Sequence, residues 1–225
     1  MYSTIVLNSL NDSGPGTLRD AVATAASGDT IDASALSGTI ALTSGQLQIT
    51  TDVSIVGPGA DSLMLDGGGL DRLVTVAGGT TVSLAGLTFT HGGNVAAGGA
   101  IFSDGALTLD HVIVNANTAS ATGGGIFENS GSLTIVDSTI SNNSIAATAD
   151  AAGGGVFAQA GTLSITGSTF AGNTAQAAGA APGASNGFAA RGGAIDIETA
   201  TASITNCTFT GNTAQGGDDV DLAAI

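Results

Sequence analysis

The chain has 225 residues, of which 36 are glycine, 43% are hydrophobic and only 4% are aromatic. This composition excludes a disordered acidic tail, and it favours a thin core of aliphatic side chains in a backbone that approaches itself closely at many glycines. Three arginines and no lysine stand against 18 acidic residues, giving a formal net charge of −15, which argues against nucleic-acid binding.

The apolar residues occur in short runs. No apolar stretch approaches the ~18 residues that a membrane-spanning helix needs, so we expect no membrane insertion. Residues 1–10 lack the basic start and the long apolar run of a cleavable secretion signal. Cys207 is the single cysteine, which excludes a disulfide within the chain and a thiolate zinc cluster.

Residues 1–38 predict an N-terminal cap. Ile5–Leu7 has the pattern of a strand, and a short helix is predicted over 17–26. Thr17 is placed as the N-cap of this helix and Gly28 as its stop. A polar-faced element of this kind is required over the first coil of a solenoid.

Residues 39–225 predict that solenoid. Short apolar runs separated by glycine-rich turns begin near residue 40, and from residue 98 a unit repeats visibly. The units open with GGAIF (98–102), GGIF (124–127), GGVF (154–157) and GGAI (192–195). In every unit a second apolar element, beginning at Leu107, Leu133, Leu163 or Ala202, is followed 10 residues later by an asparagine. The step from that asparagine to the next glycine pair varies between 7, 11 and 19 residues, so all insertions fall at one corner.

The spacing within the units fixes the fold class. Apolar and polar residues alternate with period 2, and no unit contains an amphipathic helical segment of ten residues. We therefore predict an all-β fold, a right-handed parallel β-helix with three short strands per coil and about seven or eight coils. Two structural rows follow from this register. An inward row comprises Phe89, Val114, Ile140, Phe170 and Phe209, and a row at a turn comprises Asn117, Asn143, Asn173 and Asn212.

The asparagine row has a predicted role of its own. Asparagine tolerates the left-handed backbone conformation, and its side-chain amide can bond to the neighbouring coil. The row is therefore expected to hold successive coils together at that turn.

The motifs GGAI and FxxN resemble the repeats of polymorphic outer-membrane proteins. The segment NDSGPGTLRDAV…GDTI, residues 11–31, is similar to the start of many bacterial surface proteins with right-handed parallel β-helix repeats. The sequence departs from FxxN in two units, where Val114 and Ile140 replace the phenylalanine. The resemblance implies an extracellular or cell-surface location, reached by a route that an N-terminal signal peptide does not encode.

Catalytic constellations are weak. A polysaccharide lyase of the β-helix type would need clustered carboxylates and a basic residue, and Arg191 with Asp196 and Glu198 is the best candidate. An exposed ion pair beside a loop explains these residues better. The other acidic residues fall at different phases of the repeat: Asp104, Asp110, Glu128, Asp137 and Asp150. His91 and His111 also differ in phase, so we expect no enzymatic activity.

Two further patterns suggest ligands. The tail GGDDVDL, residues 216–222, resembles a calcium-binding nonapeptide, with Asp218, Asp219 and Asp221 as candidate calcium ligands. A single copy does not complete such a site, and no other cofactor is expected.

A polar row comprises Thr88, Ile113, Thr139, Thr169 and Thr208. Such a row could order water on a flat face, although β-propensity explains the threonines better.

The sequence favours a non-enzymatic scaffold or adhesion domain that presents stacked loops, 118–123, 144–153 and 174–191, to a cell-surface or glycan ligand. The alternatives are a carbohydrate-active β-helix enzyme and a self-assembling fibre or surface-layer subunit. The last coil, with Val220–Leu222 as its final possible strand, is expected to continue into further chain or to self-associate.

Overall fold

The computed structural model describes residues 2–179 and 187–217, and these form a parallel β-solenoid with one short helix. The strands before residue 104 are β1 (Thr4–Val6), β2 (Asp29–Asp32), β3 (Gly38–Ala41), β4 (Leu47–Ile49), β5 (Val53–Val56), β6 (Leu63–Asp66), β7 (Val74–Val76), β8 (Thr81–Ala85), β9 (Thr88–Thr90) and β10 (Ile101–Ser103). The next strands are β11 (Ala106–Asp110), β12 (Ile113–Asn115), β13 (Thr118–Ala119), β14 (Ile126–Glu128), β15 (Ser132–Val136), β16 (Thr139–Ser141), β17 (Ser144–Ala146), β18 (Ala151–Ala152) and β19 (Val156–Ala158). The remaining strands are β20 (Thr162–Thr166), β21 (Thr169–Ala171), β22 (Thr174–Gln176), β23 (Ala190–Arg191), β24 (Ile195–Ile197), β25 (Thr201–Thr205), β26 (Thr208–Thr210) and β27 (Thr213–Gln215).

Each strand pairs with its counterpart one turn away, which builds long sheets along the solenoid. Sheet 1 has eight strands in the order β1-β2-β5-β8-β11-β15-β20-β25, and sheet 2 has seven in the order β3-β6-β9-β12-β16-β21-β26. Sheet 3 has six strands in the order β4-β7-β10-β14-β19-β24. Six complete turns therefore run from β2 to β24, with β1 before them and β25 to β27 after them.

The helix α1 (Leu18–Thr24) caps the first turn as predicted. Its N-cap is Thr17, whose hydroxyl oxygen accepts a hydrogen bond from the backbone N–H of Asp20 at 3.2 Å. Leu18 and Ala21 are buried against the first coil. The helix ends at Thr24, two residues earlier than predicted, because Ala25 adopts an extended conformation.

The inward row predicted from the sequence is found in sheet 2, and sheet 1 has a second inward row. Sheet 1 stacks Leu84, Leu109, Ile135, Ile165 and Ile204 in one continuous register. Sheet 2 stacks Phe89, Val114, Ile140, Phe170 and Phe209 in the same way. Apart from the last turn, these side chains are at most 1% exposed, so the core is a column of aliphatic and aromatic ranks.

Two details of the repeat differ from the prediction. Ile126 pairs with Ile101, and Val156 pairs with Ile126. Gly123 and Gly153 therefore align with Gly98, and the glycine pairs starting at Gly124 and Gly154 lie one residue out of phase. The cause is the turn after β10, which contains two residues (104–105), whereas the turn after β14 contains three (129–131). The coils are also more strand-rich than predicted, because the insertion corner forms strands of its own.

The predicted polar row in sheet 2 has the expected register, from Thr88 to Thr208. Its first member is not on a free face, however. Thr88 is buried and donates its hydroxyl to the backbone oxygen of Ala60 at 2.7 Å, because the turn between β5 and β6 folds over it.

Candidate functional site

The insertion corner forms an ordered surface. A four-stranded corner sheet, in the order β13-β17-β22-β27, lies beside sheet 2, and a second small sheet pairs β18 with β23. Ile145 and Ala175 are buried beneath it in a core cluster separate from the main one. The segments predicted as stacked loops thus begin with short strands paired in register, although the segments differ in length.

A buried ladder of asparagines positions this corner. Asn117, Asn143 and Asn173 are 0% exposed, and each lies between a strand of sheet 2 and the corner sheet. The side-chain nitrogen of each asparagine donates a hydrogen bond to the side-chain oxygen of the asparagine in the next turn. Asn117 Nδ2 donates to Asn143 Oδ1 at 3.0 Å, and Asn143 Nδ2 donates to Asn173 Oδ1 at 3.0 Å. Asn173 Nδ2 continues the ladder to Asn212 Oδ1 at 2.9 Å. The predicted role of the row in joining coils is confirmed.

The conformational part of that prediction is wrong by one residue. The left-handed conformation falls on the residue before each asparagine, with φ of +56° at Ala116, +53° at Asn142, +63° at Gly172 and +61° at Gly211. This bend turns the chain out of sheet 2, and the following asparagine then points inward, where its amide replaces the hydrogen bonds that the turn interrupts.

Two adjoining grooves run along the start of the corner. One has a volume of about 370 Å³ and is lined by Asn94, Val95, Ala96, Thr118, Ala119, Ser120, Ser144 and Ala146. The other, of about 420 Å³, is lined by Asp66, Gly68, Gly69, His91, Gly92, Ala116 and Thr118. Thr118 belongs to both, so they form one depression with small, mostly uncharged walls. Its charged end is the pair formed by His91 Nδ1 and Asp66 Oδ1, 3.2 Å apart.

A stack of phenylalanines lies on the outer face of sheet 3. The ring centroids of Phe102 and Phe127 are 5.1 Å apart, and those of Phe127 and Phe157 are 5.3 Å apart. The guanidinium carbon of Arg72 lies 5.0 Å from the Phe102 ring, an arrangement that favours a cation–π interaction. Arg72 also donates from Nε to the Gly98 oxygen at 2.9 Å and from Nη2 to the Ala97 oxygen at 2.6 Å. Burial lowers the pKa of Arg72, and the charge of Asp71 opposes this effect.

The lyase candidate forms a simple surface pair. Arg191 Nε lies 3.4 Å from Asp196 Oδ2, with the arginine side chain 58% exposed. Both residues line a depression of about 240 Å³ together with Ile197 and Glu198. The structure thus brings all three predicted residues to one place, but it adds no second basic residue and no buried acid to them.

The other titratable candidates are scattered. His111 Nδ1 lies 2.6 Å from Asp110 Oδ1, and this hydrogen bond together with the charges of Asp110 and Asp137 raises the pKa of the imidazole. Both His91 and His111 occupy left-handed turn positions, with φ of +52° and +50°. Cys207 is half-buried and packs at the edge of the core.

Neither metal nor membrane features are found in the described ranges. No group of three or more histidine, cysteine, aspartate or glutamate side chains within residues 2–179 and 187–217 could hold a metal ion. The calcium candidates Asp218, Asp219 and Asp221 lie outside the described residues. No helix in the described part of the chain is both long and apolar enough to cross a bilayer.

Two features were missed in the sequence. The phenylalanine stack was present in the repeated GGAIF, GGIF and GGVF motifs, because the residue after an inward-facing isoleucine or valine must point outward in a strand. Glu128 was counted among the scattered acids, yet it ends β14 with its side chain 0% exposed. The period-2 pattern placed this glutamate two residues after the inward Ile126, and that was a usable signal for its burial.

The chain was compared with protein families, curated proteins and solved structures. No family model matches the chain, and neither a curated protein nor a solved structure shows a significant similarity to it.

Proposed function

We propose that this chain is a non-enzymatic scaffold or adhesion domain that binds a cell-surface or glycan ligand at the insertion corner. The observation that carries the proposal is that corner segments of different length all begin as paired strands of one sheet beside a buried asparagine ladder. Rigid presentation of variable segments by a regular core is the common arrangement of binding surfaces.

The chemistry of the depression suits a neutral, hydroxyl-rich ligand. Thr118, Ser120 and Ser144 supply hydroxyl groups, and the methyl groups of the exposed Ala96 and Ala146 supply apolar contacts. The net charge of −15 disfavours acidic partners and acidic polysaccharides. The resemblance to bacterial surface repeats supports an extracellular or cell-surface location for such binding.

A matched pair of substitutions tests this site. Ser120→Arg places a bulky cation in the depression, whereas Ser164→Arg places the same group on the outer face of β20 in sheet 1; both serines are exposed. Binding of labelled protein to an array of neutral glycans and to whole cells should fall at least tenfold for Ser120→Arg and stay unchanged for Ser164→Arg. Equal binding by both variants would place any ligand elsewhere.

A self-assembling subunit is the second candidate. The last described turn leaves core-row side chains open, with Ile204 41% and Phe209 48% exposed, and all residues of β25 to β27 are exposed. A second copy stacked on this turn would cover them. Phe209→Asp should then shift sedimentation toward monomer, while Phe188→Asp, at a phenylalanine 41% exposed on the corner side, should not. Val220–Leu222, the predicted last strand, lies outside the described residues.

A further inference from the structure

Glu128 is a carboxylic acid inside the solenoid core. It belongs to the inward row of sheet 3, stacked between Ser103 on β10 and Ala158 on β19, and its side chain is 0% exposed. Neither carboxyl oxygen has a hydrogen-bond partner among the described residues. The nearest polar member of the row, Ser103, directs its hydroxyl to the Gly105 oxygen at 3.4 Å.

No described positive charge around this carboxyl compensates an ion, and the Ser103 hydroxyl is the one polar side chain of the neighbouring strands. Strands β10 and β19 contain no charged residue, and the inward rows of sheets 1 and 2 described above are aliphatic and aromatic. Asp104, which follows β10, is the charged group that acts on Glu128, and it is negative. Its carboxylate accepts a hydrogen bond from Asn129 Nδ2 at 2.6 Å on the solvent side of the turn.

The remaining charges nearby serve other contacts. Arg72 stacks on Phe102, on the outer face of sheet 3. Arg191 pairs with Asp196, the outer-face neighbour of Phe157. Asp110, at the outward end of β11, pairs with His111. No described cation therefore reaches into the core beside Glu128.

We propose that Glu128 is an internal proton-binding site that couples proton loss to opening of the coil around β14. A carboxylate without a counter-ion or hydrogen bond cannot remain in an apolar core, so the proton can leave only as water enters. The turn 129–131, where the repeat lengthens by one residue, is the nearest place for that water to enter. The coil around β14 would then be tightest in acidic solution and would open progressively more readily as the pH rises to mildly alkaline values.

The direction of titration agrees with this geometry. Burial raises the pKa of Glu128 to about 8; the Ser103 hydroxyl acts in the opposite direction, and the negative charge of Asp104 raises it further. In the opened or unfolded chain the pKa returns toward its ordinary value of 4.5. The folded state thus keeps a proton that the open state loses, and opening becomes more favourable as pH rises between these two values.

Hydrogen exchange on the whole chain tests the coupling. The ratio of wild-type to Glu128→Gln exchange at the amides of Ile126–Glu128 should rise about tenfold per pH unit between pH 5 and 8, because one proton is released on opening. Glu198→Gln is the matched control, since Glu198 is the only other glutamate and is exposed. Its exchange should follow the wild type at every pH. A constant ratio between wild type and Glu128→Gln would overturn the proposal.

Two further measurements keep the test decisive if Glu128→Gln folds poorly. Glu128→Ala introduces the residue that follows in the row, Ala158, and its exchange should lose the same pH dependence.

The infrared spectrum of the wild type at pH 6 should contain the carbonyl stretch of a protonated carboxylic acid. This band should disappear near pH 8 and should be missing from Glu128→Ala. Its absence from the wild type at pH 6 would contradict a retained proton. Asp104→Asn should move the disappearance to lower pH, and a move to higher pH would also contradict the account.

Discussion

Asn143 Nδ2 donates to Asn173 Oδ1 at 3.0 Å across two turns of the solenoid, and the same oxygen accepts from the Asn143 backbone N–H at 3.1 Å. The second hydrogen of Asn143 Nδ2 goes to the Val114 oxygen at 2.9 Å. Both donor positions of this buried amide are therefore used. Only a side chain with one acceptor and two donors at that length fits the ladder.

Asn143→Asp should be strongly destabilising. The carboxylate loses both donors and sets its oxygen against the oxygens of Asn173 and Val114, at a cost of at least about 3 kcal/mol. The neighbouring Asn142→Asp is the control, because Asn142 is exposed and aspartate tolerates its left-handed conformation. Urea unfolding should show a loss below ~1 kcal/mol for the control. Similar losses at both positions would mean that the ladder contributes little.

Ala116→Gly should stabilise the protein. Ala116 has φ of +56°, which is strained for any residue with a Cβ, and relief of that strain should outweigh the entropy of glycine by about 0.5–1 kcal/mol. Ala171→Gly, in β21, should instead lower stability by a similar amount, since it loosens a strand without relieving strain. The midpoints of thermal unfolding should move in opposite directions for the two variants, and a fall for both would refute the strain argument.

Acid should weaken the N-terminal cap through Asp12. Burial raises its pKa, but hydrogen bonds from Ser44, Arg19 and Thr43 outweigh burial and lower the pKa to about 2. Because the folded pKa lies below the ordinary 3.8, the stabilisation is complete above that value and is lost as pH falls toward 2. Because solvent screens this near-surface carboxylate, the contribution stays below about 2 kcal/mol.

Asp12→Asn should therefore be less stable than the wild type at pH 6 and nearly equal to it at pH 2. The control is Asp61→Asn, the same substitution at an exposed side chain. Chemical denaturation at several pH values provides the comparison. Arg19 Nη2 lies 2.7 Å from Asp12 Oδ1. A constant difference in stability between Asp12→Asn and wild type would show that this contact does not lower the pKa of Asp12.

Phe127→Ala tests the phenylalanine stack. Phe127 is 7% exposed and lies between two rings, so its removal leaves a cavity on the outer face of sheet 3 that should cost about 3–4 kcal/mol. Phe188→Ala, at a side chain 41% exposed, should cost less than ~1 kcal/mol. Equal costs from denaturant unfolding would mean that the stack adds nothing to stability.

The architecture could be predicted from the sequence because the residues that contact one another in successive coils of a solenoid recur at a regular spacing. The ten-residue offset from Leu107 to Asn117 recurs in every unit, and each row that it implied is found in the sheets. What a repeat alone does not fix is the exact phase after a length change. The two-residue turn before Ala106 shifted the glycine assignment by one position, because strand pairing follows Ile101 rather than the glycines.

The site was harder to predict because its order comes from contacts beyond one unit. The corner segments contain alanine, serine and threonine without clear alternation, and they become strands only where another turn lies beside them. The burial of Glu128 was missed for a different reason. Charged residues are expected outside, and here the strict period of the strand overrides that preference.

The most direct test of a binding domain without catalysis is to measure ligand retention and product formation in one experiment. The chain is incubated with neutral glycans and with polyuronates, with and without Ca²⁺, and unsaturated and reducing ends are counted while bound ligand is recovered. The account predicts retention of a neutral glycan that Ser120→Arg weakens, and no new ends from any substrate. Release of unsaturated or reducing ends, lost in Arg191→Ala, would contradict it and assign the Arg191 surface to catalysis.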